Sequence, residues 1–384
     1  MRDIGSSSSL SQQQIKRSNL TSIVNYVMTH DRATKRDICD ETNLSWGLVS
    51  KVVNQYLHMG LFEEKGLASR EGKGRTGAII GIPDSASWSL GVSIRPNVIR
   101  TKVITLQGKL VEETVHAVTE KTQAGLLLSL FNALDKAFQK ADEVGKTFIG
   151  IGLSSQGIID PDQGMVESFP GLGGKAWKST SLTQLIENRY GVPAAIESEA
   201  VNVLFALYKE NKVMDAALLD LSTTVTLAYI KSGLLFSSAD QLAFGHVFVP
   251  TPEGIKSLDE EASGLALEEV NAKHGSYAEW GKRAGQALAY SVYNANELIH
   301  RPVVYFSGDL LIYQNDFFPA FLAAYSSWTQ GEEKNVEFHL TSQYDGAFGA
   351  ALVGAERGLV ESGMKIIEPK KKAKAKRKHR EAQK

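Results

Sequence analysis

Residues 12–30 place Ile15, Leu20, Ile23, Val24 and Val27 on one face of a helix. A second helical segment covers 34–41, with Thr34 as its N-cap and Asp37 three residues further on. The turn Thr42-Asn43-Leu44 separates it from a third helix over 46–59. Ser45 caps that helix, Leu48, Val49, Val52, Val53 and Leu57 face inward, and Gly60 ends it. Residues 61–64 and 78–80 flank a glycine-rich turn and read as a β-hairpin.

Beyond residue 85 strands and helices alternate. Strands are expected at 88–94, 98–106, 148–153, 194–196, 216–221, 225–230 and 303–306. Helices are expected at 126–141, 182–190, 200–207, 284–299, 317–328 and 348–355. The run Phe148-Ile149-Gly150-Ile151-Gly152-Leu153 has the continuous apolar character of a buried strand. This is α/β organisation, present twice.

The first eighty residues follow the order of a winged helix-turn-helix: helix, short turn, helix, hairpin. In that geometry the third helix enters the major groove with Trp46, Gly47, Ser50, Lys51 and Asn54 outward. Lys51 and Asn54 reach guanine or adenine edges, and Ser50 a phosphate or a base. Lys35 and Ser45 complete the expected DNA-facing set on the helices. Lys73 and Arg75, at the glycine-rich hairpin tip, suit phosphate or minor-groove contact. The competing reading is a helical subdomain with a solvated charged loop. One such domain binds DNA weakly, so a dimer reading two half-sites is expected.

Length and charge refine this picture. At roughly 100–200 residues per domain, 384 residues make two or three domains. A hydrophobic content of 43% excludes a wholly disordered chain. Cys39, the single cysteine, excludes an intramolecular disulfide and any multi-cysteine zinc site. The N-terminus has no apolar signal core and no stretch approaches 18 apolar residues, so a cytoplasmic protein without a membrane partner is expected. The net charge of −1 divides into +3 over 1–80, −12 in the middle and +8 over 370–384. The expected division is a disordered 1–11, a winged helix-turn-helix over 12–82, a body over 85–365 and a basic disordered tail over 369–384. The tail reads either as a solvated extension or as added nonspecific DNA affinity.

The segments TNLSWGLVSKVVNQYLHMGLFEE, GIGLSSQGIIDPDQGMV, YGVPAAIESEAVNVLFALY, LAFGHVFV, DEEASGLAL, VVYFSGDLL and DGAFGAALVGAERGLV follow one another in this order. Together they resemble the ROK-family transcriptional repressors, a winged helix-turn-helix fused to an actin/hexokinase-like sugar-kinase domain in two lobes. The resemblance implies double-stranded DNA and a carbohydrate effector as partners, and a homodimer or higher oligomer.

The kinase motifs of that family are altered here. Its first phosphate loop corresponds to Ser93-Ile94-Arg95-Pro96-Asn97, without the acidic residue and glycine pair. Its second, rich in glycine, corresponds to Ser222-Thr223-Thr224-Val225. β-Branched side chains obstruct the close backbone approach and positive φ that glycine permits, and the threonines read as ordinary strand residues. The family's Asn-Asp pair is Ser198-Glu199, and Glu199 reads either as a proton acceptor on a longer arm or as a surface or sugar-contacting residue. The Glu-x-Gly-His motif is Ala243-Phe244-Gly245-His246. His246 reads as a structural residue or a ligand contact. Asp259 aligns with the later sugar-site glutamate, and Gly174 keeps a backbone role in the loop 169–174.

The resulting expectation is a sequence-specific DNA-binding regulator, a repressor of carbohydrate-related genes. Its kinase-like body is catalytically inactive and serves effector binding and dimerisation. Glu199, His246, Asp259 and Gly174 are the candidate sugar contacts, with no catalytic residue, metal or cofactor. The alternatives are an active ATP-dependent sugar kinase relying on Glu199 and a ligand-independent DNA-binding dimer.

Overall fold

Local signals set the first helices. The computed structural model describes residues 11–68, 77–84, 87–169, 172, 177–236, 244–300, 302–329 and 336–367. Helix α1 (Gln12–Thr29) begins in a capping box of Ser11 and Gln14, so Ser11, expected in the disordered terminus, is its N-cap. Strand β1 (Ala33–Thr34) leads into α2 (Lys35–Thr42), whose N-cap Thr34 shares a capping box with Asp37. Asn43 takes the left-handed conformation at φ 55° and permits the short turn to α3 (Trp46–His58). Ser45 Oγ accepts the N–H of Leu48, and Gly60 follows the helix at φ 68°. The hairpin is β2 (Glu63–Leu67) and β3 (Ala78–Gly81), and β1 pairs with β3 to make a three-stranded wing sheet.

The first lobe contains β4 (Ser87–Ile94), β5 (Val98–Thr105), β6 (Leu110–Ala117), α4 (Gln123–Glu143) and β7 (Thr147–Ser155). A small antiparallel sheet of β8 (Ile158–Asp160), β9 (Met165–Ser168) and β10 (Thr180–Ser181) follows. Then come α5 (Leu182–Tyr190) and β11 (Ala194–Ser198). The main sheet runs β11-β7-β4-β5-β6, parallel across the first three strands and antiparallel after them.

Helix α6 (Glu199–Asn211) leads to β12 (Ala216–Leu221), β13 (Val225–Lys231) and β14 (Leu234–Leu235). The hairpin β15 (Phe248–Thr251) and β16 (Gly254–Ser257) precedes α7 (Leu258–Ala262), α8 (Gly264–Ala272) and α9 (Tyr277–Ile299). Strand β17 (Val303–Ser307), α10 (Gln314–Thr329), β18 (Glu337–Leu340) and α11 (Gly346–Ile367) complete the described chain. The second sheet is ordered β14-β13-β12-β17-β18, with β12, β17 and β18 parallel.

Helices α6 and α11 lie between the two sheets. Ala200, Leu204 and Leu207 of α6 pack on Ala216, Leu218 and Ile230 of the second sheet. Helix α11 lies on the first sheet along Gly91, Gly150 and Gly152, where an added Cβ would strike the carbonyl oxygens of Ala347, Gly354 and Ala350. Helix and strands therefore meet backbone to backbone. Gly349 of α11 meets the Asn202 carbonyl of α6 in the same way.

The far half of α11 belongs to a different core. Ala355, Leu359, Val360 and Met364 pack with Leu20, Ile23, Val49, Val53, Phe62 and Ile80 of the N-terminal domain. Tyr56, buried and stacked on Phe62, donates its hydroxyl to the Leu359 carbonyl at 2.9 Å. Arg17 pairs with Glu361, and Lys209 of α6 donates to Asn25 Oδ1 of α1 at 2.8 Å. The winged domain is thus built onto the body through a shared core.

Several expectations change. Ile15 is 46% exposed and stands off the buried face of α1. The edge strand β6 lies outside the strands expected from the sequence, its burial alternating only between partial and full exposure. Helix α11 extends well beyond 348–355, through Glu356-Arg357-Gly358, because its later turns bury against the other domain.

Candidate functional site

The DNA-facing candidates on α2 and α3 come together. At 100° per residue Trp46, Ser50, Lys51 and Asn54 fall within one side of α3. Trp46, Lys51 and Asn54 are exposed and Ser50 is half-buried. Ser45 uses its hydroxyl as the N-cap. Lys35, in the first turn of α2, donates from Nζ to Asn54 Oδ1 at 2.6 Å. Lys73 and Arg75 lie outside the described residues, as do Gly174, Ala243 and the basic tail.

Glu199 is not a surface residue. It is 3% exposed, at the start of α6, and Ser198 caps that helix by accepting from the Val201 N–H. Glu199 Oε2 accepts from Ser154 Oγ at 3.0 Å and Ser93 Oγ at 3.3 Å. Its Oε1 accepts from the Gly346 N–H at 2.9 Å and Arg95 Nη2 at 3.1 Å. Four donors from β4, the loop after it, β7 and α11 hold both oxygens.

Arg95 spans the gap between the lobes. Its other terminal nitrogen pairs with Asp309, just past β17 in the second lobe. Burial opposes its charge, but the carboxylates of Glu199 and Asp309 outweigh that and raise its pKa. Asp220, at 2% exposure, accepts from Ser307 Oγ at 3.0 Å. Burial and the neighbouring Glu199 carboxylate push Asp220 up to about 7, against the pull of Arg95. One guanidinium therefore faces three carboxyl groups.

The second loop position is closed by protein. The Ser222 and Thr223 carbonyls accept from the N–H groups of Gly264 at 2.7 Å and Leu265 at 3.3 Å. Ser263 Oγ accepts from Leu265 and Ala266. The donors at the start of α8, which an anion would otherwise use, are thereby occupied. Thr223 is a bend residue rather than a strand residue, and its hydroxyl donates to Gln156 Oε1 at 2.9 Å. Gln156 is buried, and its Nε2 has no hydrogen-bond partner among the described residues. Arg95 and Gln156 were both missed as site residues. A charged side chain following an apolar strand was the available signal for Arg95.

Asp259 and His246 form a second group. Asp259 Oδ1 accepts from the Val225 N–H at 2.7 Å, anchoring the foot of β13. Burial raises the Asp259 pKa, while the Val225 bond and the charge of nearby His246 lower it. Gly245 packs directly on this carboxylate and His246 is exposed. Among the described residues no group of three or more His, Cys, Asp or Glu side chains is placed to hold a metal ion. Among them, too, no helix is long and apolar enough to cross a membrane.

Two mixed sheets enclosing paired helices, with ionisable groups meeting between the lobes, define an actin/hexokinase-like body preceded by a winged helix-turn-helix. The chain belongs to the ROK family, whose model matches residues 90–355. It is 22% identical over 187 residues to a xylose repressor of Caldicellulosiruptor bescii, across 48% of this chain and 46% of that protein. It is 25% identical over 177 residues to a glucokinase of Halalkalibacterium halodurans, across 44% of this chain and 52% of that one. The chain thus spans about half the length of the curated relatives it matches. A solved ROK family transcriptional regulator, described as a homolog of the E. coli MLC protein, superposes with a TM-score of 0.72 at 14% identity. That match covers 91% of this chain and 99% of the other, and it concerns the fold.

Proposed function

We propose that the protein is a sequence-specific DNA-binding regulator, a repressor of carbohydrate-related genes acting in the cytoplasm as a dimer or higher oligomer. Its body binds a small carbohydrate effector and does not phosphorylate it. The observation that carries this reading is a contrast within one chain. The exposed side of α3 presents Trp46, Lys51 and Asn54 to solvent, while Glu199 has both oxygens occupied and the hairpin bend caps α8. The carbohydrate class follows from the xylose repressor and glucokinase among the relatives. His246 and Asp259 are the side chains proposed to meet the effector, with Gly174 contributing backbone.

Helix α11 is the proposed route between the two activities. Its first residue meets Glu199, and its later turns form the floor of the winged domain. Twenty-two residues at 1.5 Å each span about 33 Å. An effector that disturbs Glu199 therefore acts on the recognition helices through one continuous element, a coupling of two sites.

A fluorescence-anisotropy titration against genomic fragments tests the reading. The expected result is salt-sensitive, sequence-preferring binding, with no ADP release from ATP across a panel of hexoses and amino sugars. Sugar-dependent ADP release that Glu199→Gln abolishes would reverse it in favour of a kinase. The Arg95–Asp309 tie favours one further reading, a body closed by its own side chains that serves only as an assembly scaffold. Stabilisation by any member of a sugar panel in a thermal-shift assay excludes that reading.

A further inference from the structure

The bond from Lys35 Nζ to Asn54 Oδ1 fixes more than a side-chain position. An ammonium group carries donors only, so the amide oxygen of Asn54 must face Lys35 and its NH2 must face away. The Thr34–Asp37 capping box holds Lys35 in the first turn of α2, beside α3. Asparagine reads adenine with both halves of its amide: Oδ1 accepts from N6 and Nδ2 donates to N7. With one lone pair of Oδ1 held by the Lys35 ammonium, an adenine N6 amino group using the other would lie against the ammonium hydrogens, donor against donor, and that pairing is disfavoured. What remains is a surface of donors, the two hydrogens of Asn54 Nδ2 and the free hydrogens of Lys35 Nζ.

Among the bases, guanine alone offers two adjacent major-groove acceptors, N7 and O6, with no donor of its own, the partner cytosine's amino group lying on the far side of O6. Adenine and cytosine each present an amino group that would confront the Asn54 NH2, and thymine offers one acceptor beside a methyl group. We propose, resting on the DNA-binding reading above, that Lys35 and Asn54 form a donor-only pair that selects guanine at the base pair facing Asn54. Lys35 is then a specificity-determining residue although it lies outside the recognition helix.

The test is selection of bound duplexes from a randomised pool by the full chain and by Asn54→Ala, Lys35→Met and Lys35→Arg, each with its thermal melting checked. The position at which Asn54→Ala loses preference marks the base pair concerned. The expected result is guanine there for the native chain and for Lys35→Arg. Lys35→Met frees Oδ1 and shifts the guanine-to-adenine ratio toward adenine by about tenfold or more. Adenine at that position in the native chain overturns the proposal. So does guanine retained by Lys35→Met, or an Asn54→Ala profile identical to the native one. A native chain that enriches no sequence and shows no salt dependence rejects the DNA-binding reading itself, a distinct outcome.

Discussion

The Gly346 N–H donates to Glu199 Oε1 at 2.9 Å, joining the first turn of α11 to the first turn of α6. One carboxylate thus lies at the N-termini of both helices between the sheets, where a negative charge is favoured by both dipoles. A side chain on Gly346 would run into the Glu199 carboxyl group and Ser154 Oγ. Gly346→Val is therefore expected to open this contact and lower the melting temperature. Gly346→Ala, with the smaller side chain, should lower it less than Gly346→Val, and an unchanged melting temperature in Gly346→Val would contradict the collision.

Arg95 is the counter-ion of this cluster. Arg95→Met leaves Glu199 buried beside Asp220 with no cation, and losing one partner of a buried pair costs about 3–5 kcal/mol. The loss is expected to be larger at pH 8 than at pH 5, since Asp220, pushed up to about 7, is protonated and uncharged at pH 5. Thermal melts of both proteins at the two pH values measure it.

Asp220 gives a pH dependence of definite sign. Its ordinary pKa is 3.8, and in the folded chain it is pushed up to about 7. Folding therefore takes up a proton between those values, so this contribution to stability is complete below pH 3.8 and is lost as the pH rises through about 7. Asp220→Asn keeps an acceptor for Ser307 and has no charge to bury. Its melting temperature should gain on the native protein's as the pH is raised from 5 to 8. A constant difference over that range would contradict the assignment.

Gly363 faces Tyr56, and an added Cβ would collide with the tyrosine hydroxyl. Gly363→Leu should displace Tyr56 from the Leu359 carbonyl, at a cost of about 1–3 kcal/mol for overpacking. The expected signature is a separate, earlier melting step for the winged domain and weaker DNA binding. Unchanged melting would mean that the two domains do not share a core.

Lys51 lies exposed on the outward side of α3. Lys51→Ala is expected to relax preference at one base pair, costing about 1–3 kcal/mol there. Equal weakening on every sequence, with a shallower salt dependence, would make Lys51 a phosphate contact instead.

What the sequence disclosed was local. Thr34, Ser45 and Gly60 mark helix boundaries through bonds or conformations within a few residues, and each serves as expected. The buried strand over 148–153 declared itself by composition. Long-range partners had no such signature. Tyr56 finds its acceptor 303 residues away, and Glu199 draws donors 45, 104, 106 and 147 residues distant. The surface alternative for Glu199 rests on its neighbours along the chain, and those across it exclude that alternative. Arg95 was hidden differently: the loop it occupies was judged by the glycines it lacks, and the ion pairs it makes became visible only with the lobes in place.

The glycine track beneath α11 has a mechanical consequence. Where side chains separate a helix from a sheet, the layer between them can shear as side chains change rotamer. Here bare backbone rests on bare backbone at Gly91, Gly150 and Gly152, and such a layer is missing. A rotation of the first sheet would therefore carry α11, and the winged domain packed on its far half, with no rotamer layer to absorb it.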